Sequence, residues 1–250
     1  MKIKLYHNKT PYVCDLENPI DLSITIATNH VSAWGVSDVK IEPVKDGDWI
    51  GDVSQGGSVN FNNIFFNPHA HGTHTECVGH ISSSKESLNN QLTKFFFIAQ
   101  LISVRPEKIN NDNVITKKTL CELLVDQQRI ESLIIRTLPN PPDKLKKDYS
   151  KTNPPYFSKP AMDYIVELGI KHLLIDLPSV DKEDDSGELL AHKTFWNYPE
   201  NPRYDCTITE LIYVDNQVDD GIYLLNLQFV SFQNDASPSR PLMFKLKKEK

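Results

Sequence analysis

Four of the 8 histidines fall between positions 69 and 80, in His69-Ala70-His71-Gly72-Thr73-His74-Thr75-Glu76-Cys77-Val78-Gly79-His80. Neutral imidazole nitrogens with one anionic oxygen among them are the donors that a transition metal takes. His74 and Glu76 are two apart, so on an extended backbone both project to the same side. Gly72 permits a tight bend or bulge, which turns His69 or His71 toward that same point. His80 follows closely enough to reach a substrate without having to bind metal. One histidine in a polar turn would read as a solvated surface residue. Four around Gly72-Thr73 and a glutamate read as a metal site.

The second half carries an independent sign. Read as one strand, 206–214 puts Cys206, Ile208, Glu210, Ile212 and Val214 on one face, with Glu210 at the centre of apolar neighbours. A buried carboxylate is costly unless paired with a cation or bound to a metal. Beside a histidine segment still short of ligands, metal ligation is the better account. His192 is a further candidate ligand, whereas His172 stands at the start of a strand, where a solvated or capping role is expected. Cys77 has no free base beside it and reads as a packed residue. Asp176 and Asp181 flank a proline-serine turn and read as turn-formers that support the site.

The elements that must position these residues begin with a β-rich third. Strands are expected at 20–26 and 58–66, and a continuous apolar run at 95–104 fits a strand covered on both faces. Thr116 is placed to cap a helix carrying Leu120, Leu123 and Leu124, followed by a short buried strand at 132–137. A polar, proline-rich loop over 139–155 suggests a surface excursion or lid. Ser158 caps a second helix, with Ala161, Tyr164, Ile165 and Leu168 as its apolar face and Gly169 at its end. Strands at 172–177, 206–214 and 222–232 complete the series. Strand-helix-strand units of this kind give right-handed parallel crossovers. The order fits one α/β domain over 1–250 with a mixed sheet.

Composition sets the outer limits. The chain has 250 residues, 39% hydrophobic and 24% charged, as in an ordinary soluble globular protein. A net charge of -6 argues against nucleic acid or an anionic membrane as partner. The basic run 245–250 is short and terminal, and is expected to be a solvated tail. No stretch approaches the ~20 apolar residues of a membrane-spanning helix, and the N-terminus lacks a signal-peptide core. The 4 cysteines show no CxxC spacing. Free thiols without an export signal lead to the expectation of a cytoplasmic protein.

Gly72-Thr73-His74-Thr75-Glu76, followed by His80, resembles the motif His-x-Gly-Thr-His-x-Asp-x-Pro-x-His of the cyclase family that includes bacterial kynurenine formamidase and isatin hydrolase. Asp21-Leu22-Ser23 is similar to that family's opening strand. Leu133-Ile134-Ile135-Arg136-Thr137 and Ile175-Asp176-Leu177-Pro178-Ser179-Val180-Asp181 are similar to its internal strand ends. The resemblance implies a swivelling β/β/α fold in a homodimer or homotetramer. It also implies two divalent ions, zinc or manganese: the first histidine, His74 and Glu76 would hold one, and Glu76, His192 and Glu210 would complete the second. His80 would be the proton donor and acceptor. Trp34 would line an aromatic pocket for a small-molecule substrate.

The chain departs from the motif at three places. Ala70 stands where the family has its first ligand, with His69 and His71 on either side. His69 is favoured, because Gly72 and the extra residue can form a bulge, and His71 remains open. Glu76 replaces aspartate, and Val78 replaces proline. The implied chemistry is hydrolysis of an amide or cyclic amide. A metal lowers the pKa of a water, and His80 moves the proton to the leaving nitrogen. The same features admit two other readings: a metal- or ligand-binding protein without catalysis, and a lyase or dehydratase.

Overall fold

The computed structural model describes residues 1–124 and 130–249. Among them, one large sheet is built from β1 (Lys2–His7), β2 (Thr10–Asp15), β3 (Ile20–Asp21), β4 (His74–Glu76), β5 (Phe96–Val104) and β6 (Ser132–Thr137). It continues with β7 (His172–Ile175), β8 (Thr207–Glu210), β9 (Gly221–Asn226), β10 (Ala236–Pro238) and β11 (Leu242–Lys248). The order across the sheet is β1-β2-β11-β9-β5-β6-β7-β8-β4-β10, with β3 paired to β11. Strands β5 to β8 are parallel neighbours, and the outer strands join them antiparallel. This is the mixed α/β architecture expected from the alternation of strands and helices.

Helices cover the parallel strands. A short α1 (Leu88–Gln91) precedes α2 (Lys117–Leu123), α3 (Lys159–Glu167) and α4 (Leu190–Trp196). The expected caps hold: Thr116 accepts from Thr119 N, and Ser158 accepts from Ala161 N. Gly169 follows α3 at φ +78°, a conformation that favours glycine. One apolar core lies between α2, α3 and α4 and the sheet, and includes Leu120, Ile135, Ile165, Leu173, Phe195, Trp196 and Ile208. A second lies on the opposite face, around Leu22, Leu101, Leu225 and Met243. Phe195 and Trp196 are both fully buried, and each such side chain contributes roughly 1.5–3 kcal/mol. That burial fixes α4, and with it His192.

Several expectations change in the structure. The strand at 206–214 ends at Glu210, because Leu211 adopts φ +53° and breaks the alternation. Ile208 and Ile212 therefore pack into opposite cores, and Glu210 sits at a strand end rather than mid-face. The strand at 58–66 shrinks to Asn62–Phe65, which pairs with Lys40–Pro43 outside the large sheet. The basic run is no free tail, although its lysines are exposed: Leu246 is buried, and residues 245–248 belong to β11, which pairs with β2 and β9. Lys250 lies outside the described residues. The loop 139–155 is bolted down rather than free to swing as a lid. Lys144 donates to Thr137 and Asp176, Asn140 donates to Val214 O, and Tyr149 is buried.

Candidate metal centre

The segment 69–80 turns from a loop into β4, and each turn has a local cause. Asn67 accepts from His69 N through its side chain and from Ala70 N and His71 N through its carbonyl. Gly72 then takes φ +92°, where an added Cβ would lie 2.8 Å from Ile24 O. Thr73 Oγ1 accepts from Ile24 N and donates to Leu211 O, tying the turn to both neighbouring segments. Strand β4 pairs with β8 so that His74 faces Glu210. Asp181 caps α4 by accepting from Ala191 N and His192 N, which seats the fourth side of the cluster.

These elements bring His69, His74, Glu76, His80, His192 and Glu210 together. His69 Nδ1 is 3.1 Å from Glu76 Oε2, and His74 Nε2 is 3.3 Å from Glu210 Oε2. His192 Nε2 lies 3.2 Å from Glu76 Oε1 and 3.9 Å from Glu210 Oε1. His80 Nδ1 is 3.8 Å from Glu76 Oε2, and its side chain remains 31% exposed. Donor atoms of His69, His74 and Glu76 lie within 4.8 Å of one another, as do those of Glu76, His80 and His192. His80 thus stands at ligand distance as well as beside the cavity. His71 turns elsewhere: its Nδ1 accepts from Asn67 N.

The donor set fits a divalent cation. His74 Nδ1 donates to Gly72 O and His192 Nδ1 contacts Asp181 Oδ2 at 2.6 Å, so both rings keep an Nε2 lone pair for the centre. Among the described residues, His74 Nε2 and Glu76 Oε2 are buried without a well-formed hydrogen bond, left with only ion-pair contacts, the nearest to Glu210 at 3.3 Å and to His69 at 3.1 Å respectively. Orphaned buried polar atoms are rare in folded proteins, and a cation between them removes the penalty.

Without a cation, protons take its place. Burial works against protonation of His69, yet the hydrogen bond to Asp235 and the Glu76 carboxylate 3.1 Å away hold its pKa up to about 10. Burial likewise opposes charge on His192, and Asp181 and Glu76 outweigh it and push the pKa well above the ordinary value. Burial would raise Glu76, but the charges of His80 and His192, the hydrogen bond to His192 and the nearness of His69 hold it well below the carboxylate range. The Cys77 thiol is pushed up to about 12, chiefly by burial, which fits a packed residue rather than a nucleophile.

The cluster opens into a cavity of about 290 Å³ lined by Trp34, His69, His80, Ser179, His192 and Glu210. Trp34 is partly exposed, and its Nε1 donates to His69 O at 3.2 Å. His172 is not part of the site or of the surface. It is buried, its Nδ1 is 2.9 Å from Thr207 Oγ1, and burial lowers its pKa to about 4. Asp176 pairs with Lys144 away from the centre, while Asp181 supports His192 as expected. Sequence reasoning missed Asp235, 2.8 Å from His69 Nε2 and 3.5 Å from His80 Nδ1. Nothing around it in sequence marks it; the pairing of Ala236 with Glu76 brings it there.

Fold and cluster define a class: mixed α/β proteins whose buried histidines and carboxylates meet at a sheet end beside a cavity. Residues 20–182 match the Cyclase family, described as "Putative cyclase", and the chain belongs to that family. The match takes in the histidine segment and Asp181, while His192, Glu210 and Asp235 lie beyond it. The chain is 26% identical over 193 residues to kynurenine formamidase of Bacillus mycoides (strain KBAB4), covering 75% of this chain and 81% of that one. Isatin hydrolase A from Labrenzia aggregata, solved with benzyl benzoate, superposes with a TM-score of 0.66 at 14% identity, over 91% of this chain and 93% of that one. A protein from Bacillus stearothermophilus, described as a predicted metal-dependent hydrolase, gives 0.61 at 16% identity, over 91% and 98%.

Proposed function

We propose that this chain is a metal-dependent hydrolase that cleaves the C–N bond of a small amide or cyclic amide, in the manner of an arylformamidase. The observation that carries this reading is the pair of orphaned donors, His74 Nε2 and Glu76 Oε2, in a cluster that opens into a substrate-sized cavity. Kynurenine formamidase and isatin hydrolase among its relatives support the choice of bond. His69, His74, Glu76, His192 and Glu210 would hold zinc or manganese, and the donors would suffice for two ions. When bound, such an ion supplies Lewis acidity toward the carbonyl and a nucleophilic water near neutral pH. His80, the most exposed ring of the cluster, accepts the proton and returns it to the leaving nitrogen. Trp34 offers an aromatic wall that excludes water from the substrate ring.

The exposed apolar residues Ile41, Phe61, Ile64 and Phe65 support assembly into a homodimer or homotetramer. Cys14, Cys77, Cys121 and Cys206 are free thiols, which supports a cytoplasmic setting; among the described residues no helix is long and apolar enough to cross a membrane. The test is turnover of aryl formamides and isatin-like lactams with and without a chelator. Chelator-sensitive hydrolysis, restored by added metal, is the expected result. Tight metal binding with no turnover of any of these would favour the non-catalytic binding reading.

A further inference from the structure

Each imidazole of the centre with a committed outward nitrogen has its own acceptor behind it. Gly72 O serves His74, and Asp181 serves His192, both through Nδ1. His69 is reversed: its Nδ1 faces Glu76, and its Nε2 meets Asp235 Oδ2 at 2.8 Å. A carboxylate only accepts, so it demands the proton on Nε2 and leaves the Nδ1 lone pair for the centre. Nδ1 lies nearer the backbone than Nε2, a shorter reach that suits a histidine one residue out of the family register, on the turn rather than the strand.

We propose that Asp235 is the positioning residue of this centre: it commits His69 to ligation through Nδ1 and steadies His80 with the same carboxylate. This rests on the reading of the cluster as a metal site.

The backbone that carries the carboxylate is itself held in place. Cys77 N donates to Asp235 O at 3.0 Å, and Leu88 N donates to Asn234 O at 2.9 Å. Ala236 pairs with Glu76 in the sheet, so the loop bearing Asp235 is fixed to the strand that bears the site. Asp235 Oδ2 also lies 3.5 Å from His80 Nδ1. One side chain, far away in sequence, therefore touches two rings whose orientations the chemistry needs. Asp235 together with His69 and His80 also meets the distance condition for a metal-binding group, so direct ligation is the rival role.

Metal stoichiometry and affinity separate the two roles, measured by chelator competition with zinc on the full chain and its variants. Asp235→Ala is expected to keep the wild-type number of ions and bind them 10- to 100-fold more weakly, the range for an outer partner of a metal-bound histidine. Asp235→Asn, which retains an acceptor oxygen of the same shape, should recover part of that loss and guards against a folding artefact. Unchanged affinity in both variants, or a lost ion in either, would overturn the proposal. Wild-type protein that binds zinc but hydrolyses no amide would remove the proposed function and leave this role of Asp235 standing.

Discussion

Protons and a metal would compete for the same nitrogens in this cluster, so pH reports on it before any substrate is known. His69 is raised from 6.5 to about 10 in the folded chain. A raised histidine contributes stability that is full below its unfolded value and lost as pH rises through the folded one. His172 acts in the opposite sense: lowered from 6.5 to about 4, it takes stability away as pH falls across that interval. The metal-free protein should therefore melt highest near pH 6.5 and lose stability on both sides, by calorimetry across pH 4 to 10. A melting temperature that climbs steadily from pH 6.5 to 9 would contradict the His69 assignment. At the same scale, His80→Ala should cut turnover by roughly a hundred- to ten-thousand-fold while metal content, read by elemental analysis, stays at the wild-type level. The dense segment from His69 to His80 with Glu76 stands out by spacing, whereas the choice between His69 and His71 does not follow from it and His192 lies outside it. Asp235 does not stand out, because a strand pairing and not a motif brings it to the site.

The turns decide where the ligands point. Gly72 is required by both its φ and the nearness of Ile24 O, so Gly72→Ala should lower stability by roughly 1–3 kcal/mol. It should also weaken metal binding, because His69 and His74 lie on either side of it. Urea denaturation measures the first effect and chelator competition the second; a variant as stable and as tight as wild type would refute the role given to this turn. Element positions were well marked where the signal was local. Thr116 and Ser158 cap their helices, and the buried strand at 132–137 keeps its expected bounds. Elsewhere tertiary contacts override alternation. Leu211 ends β8 by taking a left-handed conformation, and β11 finds partners on both sides that its lysines do not advertise. Lys144 looked like part of a polar loop until Asp176 and Thr137 gave it a buried place.

The whole chain is organised around one sheet, which pairs residues near both ends: β11 bonds to β2, and Glu249 N donates to Pro11 O. Residues 1–250 should accordingly unfold as a single domain, in one cooperative transition that calorimetry and circular dichroism report at the same temperature. Two separate transitions would divide the chain. A metal held between β4, β8 and α4 would link the sheet to its helical layer, and a ligand at a hundred times its Kd adds about 2.7 kcal/mol to such a fold. The most direct test of the account is calorimetric titration of the metal-free chain with zinc and with manganese near neutral pH. Saturable binding of two ions per chain, with protons released and the melting temperature raised, is the predicted result. A chain that takes up neither ion, and melts at the same temperature with or without them, would contradict the metal centre and the hydrolase built on it.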